Sequence, residues 1–155
     1  MTEYDIQKYL YYKFCKNHRI MLPNFYPDNW FECDMFALNS NKFFHEYEIK
    51  LTVADFNNDF KKIDGRQRHP PKHNRLASGD TFGPKYFSFV VPTEIVNKVK
   101  IPEYAGLITI KNNCLYHAKK ARRLHNRQVS DKVVYQIIMS STSRYWNYKL
   151  AQKTP

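Results

Sequence analysis

The chain has 155 residues, which suits one domain able to bury a sizeable core. Lys and Arg number 25 against 14 Asp and Glu, a formal charge of +11, and with 43% hydrophobic and 16% aromatic residues this cannot be a disordered basic tail. No apolar run approaches the ~18 residues of a membrane span, Met1 opens into a polar segment without the look of a signal peptide, and Cys15, Cys33 and Cys114 form no CxxC pair, so the expectation is a cytoplasmic protein with reduced thiols.

The elements follow in chain order. Residues 3–16 place Ile6, Tyr9, Leu10 and Phe14 near helical spacing, with Thr2 as N-cap and Glu3 and Asp5 suited to the helix dipole. A loop with Pro23 and Pro27 follows. Residues 30–38 read as a strand, with Phe31, Cys33, Met35 and Ala37 on one face and Glu32, Asp34, Phe36 and Leu38 on the other. After the turn Asn39-Ser40-Asn41, residues 43–51 form the second strand of a hairpin. Thr52 caps a helix over 52–63, with Val53, Phe56, Phe60 and Ile63 on one stripe. Residues 64–85, rich in Gly and Pro, read as a long irregular stretch. Residues 86–91 are a strand, Thr93-Glu94 opens a short helix, and 105–110 and 114–118 pair around Asn112-Asn113. A C-terminal helix spans Ser130 to about Tyr148. The expected fold class is α/β: a mixed β-sheet flanked by α-helices, in a single domain over 1–155.

Charge is unevenly distributed. Residues 1–65 carry 8 basic and 10 acidic side chains, whereas 66–155 carry 17 and 4. A basic surface favours polyanions, nucleic acid above all, because phosphate contacts release condensed counterions. Seven of the 14 acids lie between Glu32 and Asp64, where they would repel phosphate unless a cation sits among them.

On strand 43–51, Phe44, Glu46, Glu48 and Lys50 share a face, and pairing with the preceding strand can bring Asp34 near Glu48. Two carboxylates and an ammonium on adjacent strands suit phosphodiester hydrolysis. The carboxylates hold a hard divalent cation, Mg²⁺ with Mn²⁺ able to substitute, and the lysine stabilises developing charge. The triplet Asp/Glu-x-Lys is a weak signal. Composition alone produces one or two, and the sequence has two, Glu48-Ile49-Lys50 and Asp59-Phe60-Lys61. The second falls in a helix and reads as a solvated face. The first reads either as a site or as a salt-bridged, exposed sheet face.

Asp34 followed by Glu48-Ile49-Lys50 and a helix resembles the core of the PD-(D/E)XK nuclease superfamily. The longer string ECDMFAL…HEYEIKLTVADFNNDFKK, with YFSFVVP and IPEYAGLITI further on, resembles the MmcB-type DNA-repair nucleases and their phage-encoded relatives. The resemblance runs from about Glu32 to Ile110. It implies a restriction-endonuclease-like core and a metal-dependent nuclease, acting on DNA rather than RNA on family grounds alone. Asp34 and Glu48 become metal ligands with the Ile49 carbonyl as a third, and Lys50 becomes the catalytic lysine. Many members add an acid from the first helix; Glu3 shares the stripe of Ile6, Leu10 and Phe14, and serves either that role or the helix dipole. Glu32 and Glu46 are extra acids that either join the metal shell or pair with Lys50. Cys33 stands where the superfamily name has proline. Many relatives act as dimers, so a homodimer is compatible with the resemblance.

The basic segments 61–75 and 119–127 are expected to hold a nucleic-acid backbone without reading sequence: Lys61, Lys62, Arg66, Arg68, Lys72, His73 and Arg75 in the first, and Lys119, Lys120, Arg122, Arg123 and Arg127 in the second. Ordinary solvated charge and an ordinary loop histidine are the alternatives. The six histidines make no HExxH or zinc spacing, and no Gly-rich phosphate loop is present. The rival function is a nucleic-acid-binding module on the same fold without chemistry. A partner-binding protein whose charge is incidental is a third.

Overall fold

A computed structural model describes residues 1–63 and 69–152. Thr2 and Asp5 form a reciprocal capping box at the start of helix α1 (Glu3–Phe14), which buries Ile6 and Leu10 completely. Strands β1 (Ile20–Phe25), β2 (Cys33–Leu38) and β3 (Phe44–Ile49) form an antiparallel meander. Helices α2 (Val53–Asp59) and α3 (Lys72–Ser78) then carry the chain to β4 (Tyr86–Pro92), which pairs parallel with β3. A 3₁₀ helix (Thr93–Lys98) leads to β5 (Gly106–Lys111), parallel to β4, and β6 (Cys114–Lys119) returns antiparallel. Helix α4 (Asp131–Ala151) follows. The six strands lie in chain order in one mixed sheet, which is the α/β arrangement expected from the sequence.

Each face of the sheet has its own core. Helix α1 packs Ile6 and Leu10 against Met35, Ala37, Tyr47, Ile49, Val90, Ile108 and Ile110. On the opposite face Phe36, Phe44, Phe87, Phe89 and Leu107 meet Phe56 of α2, Leu76 of α3, and Val133 and Ile137 of α4. Covering both faces is what the apolar runs of β4 and β5 require.

Four local readings change. The loop around Pro23 contains the edge strand β1, where proline costs no ladder hydrogen bond; the guanidinium of Arg144 donates to the Pro23 and Asn24 carbonyls at 2.6 and 2.9 Å. The irregular stretch contains α3, ended by Gly79 in the left-handed region at φ 72°. Helix α2 stops at Asp59, so Phe60 and Ile63 leave the expected stripe and stand partly exposed, while Phe56 is buried. Strand alternation also breaks at Asp34. Cys33 joins the core of Phe36 and Leu38, where the facing strand β1 carries Asn24 in the left-handed region at φ 49°.

Gly83 approaches the Trp30 ring so closely that a Cβ there would lie 2.5–2.8 Å from three ring carbons. Gly83→Ala therefore displaces Trp30, and the overpacking costs about 1–3 kcal/mol. Thermal denaturation should show Tm lowered by several degrees; an unchanged Tm would mean that Trp30 moves freely.

Candidate functional site

Strands β2 and β3 pair from Leu38 opposite Phe44 to Met35 opposite Tyr47, and then part. At the split the Asp34 side chain takes over from the lost backbone partner: the Ile49 N–H donates to Asp34 Oδ2 at 2.7 Å. Beyond it the Lys50 N–H donates to the Val90 carbonyl, so β4 guides β3 to its end. The divergence sets Asp34, Glu48 and Lys50 side by side, as the sequence pattern anticipated.

Lys50 Nζ lies 2.8 Å from Glu48 Oε1, 3.1 Å from Asp59 Oδ1 and 3.9 Å from Asp34 Oδ2. Lys62 Nζ reaches the same Glu48 oxygen and lies 2.8 Å from Asp59. Lys72 Nζ bridges Glu46 at 2.6 Å and Glu48 Oε2 at 2.7 Å. Trp30 Nε1 donates to Glu46 Oε2 at 2.8 Å. His73 sits between Asp59 and the Tyr104 hydroxyl, each at 2.6 Å. The side chains of Glu46, Glu48, Asp59 and Lys72 have no exposure, whereas Asp34 keeps 19% and Lys62 36%. Water therefore reaches this cluster past Asp34 and Lys62.

The charges bias one another. Burial pushes the Asp34 carboxyl up, with help from the Glu48 charge, to about 7. Burial likewise raises Glu46. Burial also opposes ionisation of Glu48 and Asp59, but Lys72, Lys50 and Lys62 outweigh it at Glu48, and the His73 bond and the lysines do so at Asp59, so both lie below the usual carboxylate range. Lys50 and Lys72 lose from burial and gain more from the surrounding carboxylates, so both stay charged.

Several expected roles change with this placement. Glu46, Glu48 and Lys50 do not form an exposed salt-bridged face; they are interior. Lys72, His73 and Arg75 are buried and are not surface contacts for a backbone. Lys72 neutralises Glu46 and Glu48, His73 holds Asp59, and Arg75 bonds Asp80 and the Asn29 carbonyl with its guanidinium over the Trp30 ring. Helix α3 turns them inward, which a reading of the stretch as irregular could not foresee. Lys62 is engaged by the acids, and Lys61 is exposed beside Asn58. Arg66 and Arg68 lie outside the described residues. Lys119 donates to the Pro102 and Glu103 carbonyls; Lys120, Arg122, Arg123 and Arg127 are exposed, with Arg127 over Phe82 and bonded to Thr81. This second segment crosses the other end of the sheet, where the Leu124 and Val129 N–H groups donate to the Lys85 and Lys42 carbonyls.

Asp59 and Gln7 complete the site and escaped the sequence reading. Asp59, taken for a solvated helix residue, is three positions from buried Phe56, and that spacing was its signal. Gln7 Nε2 donates to Glu3 Oε1, Asn24 Oδ1 and the Asp34 carbonyl, so Glu3 touches the site through Gln7. Glu32 is exposed just before β2.

Asp34 and Glu48 offer the hard oxygen donors that a divalent cation takes. No cluster of three His, Cys, Asp or Glu suited to a metal ion occurs among the described residues. The Ile49 peptide meets Asp34 with its N–H. The donor set still fits a cation in its chemistry, because among the described residues Asp34 has no ammonium within 3.5 Å and is raised by burial and a neighbouring carboxylate, provided that Lys62 leaves Glu48.

Folding favours protonated Asp34, so its contribution is complete below about pH 4 and is lost as pH rises to about 7. Asp34→Asn keeps an oxygen for the Ile49 N–H and removes that loss. The variant should be more stable than the wild type by about 4 kcal/mol above pH 7, with the difference vanishing toward pH 4, in urea titrations across pH. A constant difference at all pH values would contradict the raised carboxyl. Lys72→Met takes the ammonium from buried Glu46 and one of three from Glu48, and should cost about 3–5 kcal/mol, part of which Glu46→Gln restores in the double variant.

No family model and no curated protein matches the chain. Among solved structures it is similar to the SPO1766 protein of unknown function from Silicibacter pomeroyi, at 12% identity and a TM-score of 0.67, over 97% of this chain and 90% of that one. That likeness is one of fold.

Proposed function

We propose that the protein is a metal-dependent nuclease with a restriction-endonuclease-like core, hydrolysing phosphodiester bonds in DNA. The observation that carries this reading is the convergence of Asp34, Glu48 and Lys50 where β2 and β3 part, with Asp34 open to solvent and the Lys50 ammonium 2.8 Å from Glu48. The resemblance to PD-(D/E)XK nucleases supports it, since it falls on the same three residues that lie together in the fold.

Asp34 and Glu48 would hold Mg²⁺ or Mn²⁺, which when bound polarises a phosphoryl oxygen and lowers the pKa of bound water. The chain's own residues do the rest. Lys50, kept charged by Glu48 and Asp59, presents a fixed positive charge to the attacking water or the phosphoryl oxygens. Asp59 and His73 hold Lys50 in place from α2 and α3. Lys62, at the rim, is free to turn from Glu48 toward a phosphate once a cation takes its place. The membrane enters nowhere in this chemistry, and no helix among the described residues is long and apolar enough to cross one.

The rival reading is a nucleic-acid-binding module without catalysis. The observation favouring it is that both Glu48 oxygens are held by ammonium groups. Cleavage of end-labelled single-stranded, duplex and branched DNA, and of RNA, with Mg²⁺, Mn²⁺ or EDTA separates the two. Asp34→Asn should abolish metal-dependent cleavage while remaining folded, and Lys50→Ala should reduce it by about 10²-fold or more. Retention of DNA without cleavage under every metal condition would make the binding module the better account.

A further inference from the structure

On the opposite face of the sheet from the acids, at the end crossed by the second basic segment, a cleft of about 740 Å³ opens between the end of α1 and the strand β6. Its walls are rings: Phe14, His45, Tyr47, Tyr86 and His117, with Ser88 among them. The Phe14 and Tyr47 rings stack 5.3 Å apart, and the His45 and Tyr86 rings lie 4.9 Å apart. His18 lines it too, its Nε2 2.9 Å from the Tyr47 hydroxyl and its buried Nδ1 without a hydrogen-bond partner among the described residues. Lys119, Lys120 and Ala121 form one lip, and exposed Arg122 and Arg123 continue it.

We propose that this cleft binds a nucleoside phosphate, the base entering among the rings and the phosphate resting on the basic lip. The volume suits a small ligand. Flat ring faces stack on any base and so accept a planar heteroaromatic group with little sequence preference. Burial drives the His45 imidazole down to about 3 and lowers His18 as well, so the interior presents neutral nitrogens and hydroxyls to a polar ring edge rather than a fixed charge. The charge lies outside, on exposed Lys120 of the lip, where an anionic tail would be. Lys119 is spent on backbone carbonyls and shapes the lip. Of the acid cluster, Glu46 alone also lines the cleft, and Asp34, Glu48 and Lys50 do not, so the inference stands whether or not the protein cuts DNA.

The test is isothermal titration calorimetry of the full chain in EDTA, which silences any metal-dependent cleavage. The probes are AMP, dTMP, adenosine, ribose 5-phosphate and a 5′-phosphorylated oligothymidylate. AMP and dTMP should bind in the millimolar range or tighter, and ribose 5-phosphate about tenfold more weakly for want of a stacked base. Binding by the oligonucleotide alone also supports the site and identifies a base presented within a strand as its source. Ala118→Trp fills the cleft from an exposed position and should weaken binding about tenfold with Tm unchanged, whereas Lys120→Ala should weaken AMP but not adenosine. No heat with any probe, equal affinity for ribose 5-phosphate and AMP, or full affinity in a folded Ala118→Trp variant would each overturn the proposal.

Discussion

Glu48 is a carboxylate without solvent exposure in the middle of the sheet, and the surrounding architecture follows from having to neutralise it. An unpaired buried charge would cost more than the net stability of a domain this size allows. Three ammonium groups meet the requirement: Lys50 from the end of β3, Lys62 from beyond α2, and Lys72 from α3. Those lysines then need further acids, supplied by Glu46 and Asp59, and Asp59 in turn engages His73 and, through it, Tyr104. One buried charge thus ties two helices and the loop before β5 to a single strand.

Such a network is an inefficient way to stabilise a fold. Apolar side chains of similar volume would fill the same space without desolvating seven charges, and the adjacent phenylalanines Phe87 and Phe89 show that this core accepts them. A polar core kept beside so apolar a neighbourhood is better explained by what it does than by what it holds together, which is why the site rather than the aromatic core carries the functional reading.

The sheet was largely legible because its strands are periodic and punctuated. The pairing of 33–38 with 44–49, the Asn112-Asn113 turn and the C-terminal helix all follow from local pattern. Strand β1 was hidden by Pro23, which local rules place in a loop and only edge position permits. Helix α3 was hidden by flanking prolines and glycines, and with it went the fate of Lys72, His73 and Arg75. Side chains that look like a phosphate-binding run in one dimension turn inward to acids, Lys72 to Glu46 and Glu48 more than twenty residues away, His73 to Asp59 and Arg75 to Asp80. The Asp34–Glu48–Lys50 association could be read because it needs only two adjacent strands. Asp59 could not, because its burial depends on where α2 docks.

The concentration of acids in a basic chain also takes on a different meaning. From composition alone, seven acids between Glu32 and Asp64 ask for a cation. In the fold three lysines already supply most of that charge, so acid density by itself no longer argues for a metal ion. What still does is the asymmetry within the cluster. Glu46, Glu48 and Asp59 each have an ammonium within about 3 Å, while Asp34, among the described residues, is held by a peptide N–H and by a lysine 3.9 Å away, and of the four its side chain meets water. On the proposed function, two carboxyls that repel one another at a solvent opening, with Lys62 between Glu48 and the outside, would seat a hard cation at the cost of a proton from Asp34 and the Lys62 contact to Glu48. Any affinity for such a cation must therefore fall steeply as pH drops below about 7, because protons and the cation compete for the same oxygen.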